Sequence, residues 1–116
     1  MLVKFKLSIL LFLSLLAFGC ENQNQTSSDY DLICQYFGQL DTQLSQQKIE
    51  PDKFFEFIDE RVEKNLKGEN TAKETWKAIV GMNPPEKRYE MFKSVVESVI
   101  HKSWECPSMK KYLKDV

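Results

Sequence analysis

The chain predicts an all-α fold, a small domain of four helices with a short C-terminal turn, over residues 29–116. Three observations carry that expectation. Apolar residues recur at the three- and four-residue spacing of a helix face through successive segments. Proline and glycine fall where helices start and stop rather than inside them. No segment sustains the apolar–polar alternation of a strand, so no sheet is expected.

The first helix is predicted over 29–47, where Leu32, Ile33, Tyr36, Phe37, Leu40 and Leu44 share one stripe. Gln35, Gln39, Gln43 and Gln46 fall largely off it, and Ser27, Ser28 and Asp29 are candidate N-caps. Pro51 suits the first position of a second helix, where a missing N–H goes unnoticed. Phe54, Phe55, Ile58, Val62 and Leu66 trace its apolar stripe, and Gly68 can take the left-handed conformation that ends it. Phe57, beside Arg61 and off the stripe's centre, either widens the buried face or stays partly exposed as a surface for a partner.

Thr71 and Glu74 have the spacing of a capping box, which starts a third, short helix with Ala72, Trp76, Ile79 and Val80 on its inner side. Gly81 is expected to end it in the left-handed conformation. Asn83-Pro84-Pro85-Glu86 is the next start signal. The fourth helix, predicted over 86–103, buries Tyr89, Phe92, Val95, Val96, Val99 and Ile100 and turns Ser94, Glu97, Ser98 and His101 outward. Trp104 marks its frayed end, and after Cys106-Pro107 the residues Met109, Tyr112 and Leu113 suggest a closing turn of helix.

Ahead of this domain, Lys4 and Lys6 precede an apolar run from Leu7 to Gly19 that only Ser8 and Ser14 interrupt. That is the layout of a secretory signal, and the run is shorter than the roughly 20 residues a membrane-spanning helix needs. Leu16-Ala17-Phe18-Gly19-Cys20 resembles the lipobox of bacterial lipoproteins. The resemblance implies removal of residues 1–19, lipidation of Cys20 and an anchored mature chain. Glu21 in place of aspartate after the cysteine implies, by the sorting habit of enteric-type lipoproteins, an outer-membrane protein facing the periplasm. Residues 20–28 hold the lipidated cysteine and an apolar-free tether, whose reach of about 15 Å keeps the domain near the lipid surface. Read instead as an ordinary secretory signal, the segment leaves Cys20 as a third thiol.

With Cys20 lipidated, an exported chain has two thiols left, Cys34 and Cys106, and an oxidising compartment pairs them. The expected fold is then a four-helix domain clasped by one disulfide, useful to a domain of only about a hundred residues. The chain has 16 basic and 17 acidic residues; without Lys4 and Lys6 the balance is 14 to 17, a formal net charge of −3. Such a balance argues against nucleic acid as a partner, since the one basic cluster, Lys110, Lys111 and Lys114, is short and terminal.

No residue set points to catalysis. His101 is the only histidine, with Glu97 one turn before it, and a solvated pair is the expected reading. Two cysteines and one histidine fall short of a zinc site, and neither a metal nor another cofactor is expected. The acids Asp52, Glu56, Asp59, Glu60 and Glu63 interleave with Lys53, Arg61, Lys64 and Lys67, the pattern of a solvated helix face in which Glu60 pairs with Lys64. Trp76 and Trp104 read as core, with Trp104 placed to pack over the disulfide.

The architecture is similar to that of pilotins, small lipoproteins that escort secretins to the outer membrane. That similarity implies a non-enzymatic module that binds an envelope protein or peptide helix in a groove between its own helices. An immunity-type inhibitor of a cell-wall or membrane toxin is the alternative expectation, because it too needs only an anchored, rigid surface.

Overall fold

The computed structural model describes residues 27–116. Helix α1 occupies 27–45, followed by α2 (Phe54–Asn65), α3 (Thr71–Val80), α4 (Arg88–Ile100) and α5 (Pro107–Tyr112). Short 3-10 turns at Pro51–Lys53, Pro85–Lys87 and Leu113–Asp115 lead into α2, lead into α4 and close the chain. Among the described residues there is no strand, and no helix is long and apolar enough to cross a membrane. The all-α class expected from the periodicity is the fold observed.

Tyr30, Ile33, Tyr36, Phe37 and Leu40 of α1 form a buried row at helical spacing. This row packs with Phe54, Ile58, Val62 and Leu66 from α2 and just beyond it, with Trp76 and Ile79 from α3, and with Phe92 and Val96 from α4. Burying such side chains contributes roughly 1.5–3 kcal/mol each, which is why the apolar stripes, more than helix propensity, decide the fold. Phe55 departs from its expected place in the stripe: it is 42% exposed, because Phe54 takes the inward position while Phe55 only lies on Trp76, ring centroids 6.2 Å apart. On α4, Val95, Val99 and Ile100 are partly rather than fully buried, and of these Val99 and Ile100 pack at the margin of the same core.

Several element ends differ from expectation, each for a local reason. Ser27, Ser28 and Asp29 already lie within α1 rather than capping it. At its other end Gln47 has a positive φ of 56°; its N–H bonds the Leu44 carbonyl and that of Lys48 bonds Gln43, so the helix closes at 45 in a Schellman motif without glycine. Asn70, not Thr71, caps α3: its Oδ1 accepts from the Lys73 N–H at 3.0 Å, and its Nδ2 donates to Asp29 of α1 at 3.0 Å. Asparagine satisfies both neighbours because its amide both accepts and donates. Gly81 has φ −96°, an ordinary conformation, whereas Gly68 does adopt the left-handed one, at φ 74°.

Helix α4 ends at Ile100, three residues early, because His101 takes the left-handed conformation at φ 58°. The chain then doubles back, and the Trp104 N–H reaches the Glu97 carboxylate at 3.0 Å. Trp104 is thus not frayed but 6% exposed, its ring 5.8 Å from that of Phe92. Its Nε1 donates to Asp31 of α1 at 2.9 Å, as Trp76 Nε1 donates to Asp59 of α2 at 3.0 Å.

Arg88, the first residue of α4, is buried despite its charge. Its Nε donates to the Met82 carbonyl at 2.8 Å and its Nη1 to the carbonyls of Val116 and Leu113 at 3.0 and 3.4 Å, holding the closing turn against α4. The Tyr112 hydroxyl donates to Asp41, which fastens α5 to α1. Cys34 and Cys106 are bonded, with Cα atoms 5.9 Å apart and a sequence separation of 72. The chain-entropy treatment of a loop that long gives about 4 kcal/mol. A Cys34→Ser, Cys106→Ser double variant is expected to lose stability of about that size, measured as a lower midpoint in urea denaturation monitored by tryptophan fluorescence.

Candidate functional site

Cys20, the residue expected to carry lipid, lies outside the described residues. Among those described, the expected surface residues Phe57 and Arg61 come together on α2. Four residues apart, they stack along one side of the helix, and the Arg61 guanidinium carbon sits 3.5 Å from the Phe57 ring centre. Phe57 is partly buried against the core, so the cation covers the outer part of an otherwise apolar ring. Arg61 is held from two further directions, its Nη1 donating to the Phe57 carbonyl at 2.9 Å and its Nε to Gln39 Oε1 of α1 at 3.2 Å.

The Gln39–Arg61 and Asp29–Asn70 bonds set α1 and α2 antiparallel. Stepping one turn back along α1 from Gln39 and one turn on along α2 from Arg61 brings Tyr36 opposite Asn65. A cleft of about 270 Å³ lies at this level, lined by Glu60, Arg61, Lys64 and Asn65. Tyr36 is 4% exposed, and its hydroxyl is buried with no hydrogen-bond partner among the described residues. Burial raises its pKa, while the neighbouring Asn65 amide and the Arg61 charge partly oppose the rise. Sequence reading assigned Tyr36 to the core by its place on the stripe and had no means of seeing that the hydroxyl goes unmatched.

The other residues singled out from sequence do not assemble into a second site of the kind expected. Glu97 and His101 are not a pair on one helix face, because His101 lies beyond the helix end. Glu97 instead accepts from Trp104 N–H and from Lys93 Nζ at 3.3 Å, and these two partners hold its carboxyl below the usual glutamate range. The interleaved acids of α2 also separate. Asp59 serves Trp76, and Glu63 reaches across to α3, 2.6 Å from Lys77 and 3.0 Å from Lys73, which hold its carboxyl below its usual range. Glu60 and Lys64 form no ion pair, contrary to expectation, and both line the cleft. Lys110 and Lys114 line a separate cleft of about 250 Å³ with Pro85, Glu86, Tyr89 and Glu90. Among the described residues no three metal-ligating side chains gather.

Comparison of the chain with protein families, with curated proteins and with solved structures finds no match.

Two outcomes are expected. The folded chain binds the Glu97 proton less tightly than the unfolded chain does, so this contribution is complete above the unfolded value of about 4.3 and is lost as pH falls through the lower folded value. Urea midpoints recorded from about pH 6 down to pH 3 should therefore fall less steeply for Glu97→Gln than for the native chain. Tyr36→Phe deletes an unmatched buried hydroxyl and keeps the ring, so it should raise stability by about 1 kcal/mol in the same assay at neutral pH.

Proposed function

We propose that the chain is a lipid-anchored lipoprotein of the bacterial cell envelope that acts as a non-enzymatic protein-binding module, in the manner of the pilotins. The observation that carries this reading is the use of the three cysteines. Cys34 and Cys106 are bonded to each other, and Cys20 is left directly behind an apolar segment of signal-peptide length. A disulfide that supports a small core suits an oxidising compartment, the one a secretory signal addresses. One acyl chain binds membranes only marginally, whereas the two or three usual for lipoproteins give a lasting anchor.

A partner of such a module docks on a rigid, partly apolar surface. The α2 face is suited to that role: Phe57 offers an aromatic ring backed by the core, and Arg61 lies stacked on it with its rotamer already restrained. Stacked arginine and aromatic side chains are frequent anchors in interfaces because little side-chain freedom remains to be lost. An amphipathic helix of an envelope protein, laid along this face, is the expected partner.

Cell fractionation is the direct test. Cys20→Ser should move the protein from the membrane to the soluble fraction and abolish the lipid increment seen by intact-mass analysis. A Cys20→Ser protein that stays with the membrane would overturn the anchor, and a photo-crosslinker at Phe57 that captures no envelope protein in living cells would overturn the docking face.

A further inference from the structure

Along α2 acidic and basic residues interleave, but across the cleft between the start of α4 and α5 they are sorted by sign. Glu86 and Glu90, four residues apart, line it from the α4 side, and Lys110 and Lys114, also four apart, line it from the α5 side. Like charges at that spacing repel one another. None of the four forms an ion pair with a described residue, so the repulsion within each wall goes unrelieved. The two walls attract each other and yet do not meet.

The backbone frame behind the walls is what holds them apart. Tyr89, 7% exposed, lines the cleft, and its hydroxyl accepts the Cys106 N–H at 3.0 Å, which ties α4 to the residue just before α5. At the other end of α5, Arg88 Nη1 donates to the carbonyls of Leu113 and Val116. Cys106 is in turn bonded to Cys34 of α1. Helix α5 is thus fastened at both ends, and the gap of about 250 Å³ is set by buried ties rather than by the side chains at its rim. A cleft formed before its ligand arrives costs little to order on binding.

Charge and size narrow what fills it. Two acids against two lysines leave the lining formally neutral. A lone anion would be repelled by one wall and a lone cation by the other, whereas a ligand with a charge of each sign at its two ends is attracted by both. The volume is below that of drug-sized pockets, about 300 Å³ and upward, and suits one amino acid rather than a peptide. We infer that this cleft binds a small zwitterion, its ammonium against Glu86 and Glu90, its acid group against Lys110 and Lys114, and its apolar part on Pro85 and Tyr89. A free α-amino acid and the glycerophosphoethanolamine head of a phospholipid both present this pair of charges. The site does not depend on the membrane anchor, so Cys20→Ser should leave it intact even if that variant overturns the proposed localisation.

The test is isothermal titration calorimetry of the full chain with four probes. L-leucine and glycerophosphoethanolamine carry both charges, N-acetyl-L-leucine only the negative one and L-leucinamide only the positive one. Saturable one-to-one binding of a doubly charged probe is expected, with each singly charged leucine derivative about tenfold weaker or more. Tighter binding of L-leucine identifies an amino acid, and tighter binding of glycerophosphoethanolamine identifies a lipid head. Glu90→Gln and Lys110→Gln, both at exposed positions, should each weaken the preferred probe about tenfold. Glu90→Gln should also erase the discrimination against N-acetyl-L-leucine, because the wall that repels its carboxylate is weakened. Lys64→Gln, on α2, should change nothing, and urea midpoints should show that all three variants fold as the native chain does. No saturable heat from either doubly charged probe up to about 10 mM, singly charged derivatives that bind as well as L-leucine, or unchanged binding in Glu90→Gln and Lys110→Gln would overturn the site.

Discussion

The bond between Cys34 and Cys106 fixes the last helical turn onto the middle of α1, and the rest of the domain is arranged so that this junction can close. For Cys106 to reach α1, the chain must turn back at His101, bury Trp104 and present the Cys106 N–H to the Tyr89 hydroxyl at 3.0 Å. Lys93 and Glu97 hold that return path, the lysine donating to the Trp104 carbonyl and the glutamate accepting from its N–H. A covalent link of long sequence separation chiefly restricts the unfolded chain. The native contacts around it make the short connecting path definite, so the bond and the fold support one another.

Helix α1 is the common partner of the other elements. Tyr30 bonds Thr75 of α3, Asp31 takes the Trp104 indole, Gln39 holds Arg61 of α2, and Asp41 accepts from Tyr112 of α5. Thr75 already donates to the Thr71 carbonyl, so Tyr30 must be the donor to Thr75. The apolar row of α1 provides the attraction but no register, since burial is insensitive to direction. These polar ties supply the register, because a buried donor misaligned by one residue would lose its acceptor. Both tryptophans follow this rule, each with its ring in the core and its N–H on an aspartate of another helix.

Set against so much matched polarity, the Tyr36 hydroxyl is an exception, and it occurs beside Arg61, which is braced by Gln39, the Phe57 carbonyl and the Phe57 ring. A protein evolved for stability alone would have phenylalanine there. Groups kept at a cost to stability are a recurrent mark of sites that act on something else.

The sequence by itself determined the helical class and most of the apolar stripes, because periodicity and helix-stop residues are properties of the chain that survive any particular packing. The pairing of Cys34 with Cys106, among three cysteines, is decided by the structure. The sequence also marks the signal-like segment and Cys20 by their order alone. Tertiary structure decided what periodicity cannot encode. Gln47 and His101 end helices through left-handed turns that glycine would have announced, and Asn70 displaced Thr71 as a cap because it could also reach Asp29. Phe55 fell outside the core, stacked on the Trp76 ring, because Phe54 takes the inward position, and Arg88 fell inside because the carbonyls of Met82, Leu113 and Val116 converge on it. Phe57 and Arg61 could be singled out from their spacing, yet the Gln39 bond that holds Arg61 could not, since the two meet only once two distant stretches lie antiparallel. Hydrogen-bond satisfaction depends on which partners the fold delivers, and that is information a single chain read in order does not hold.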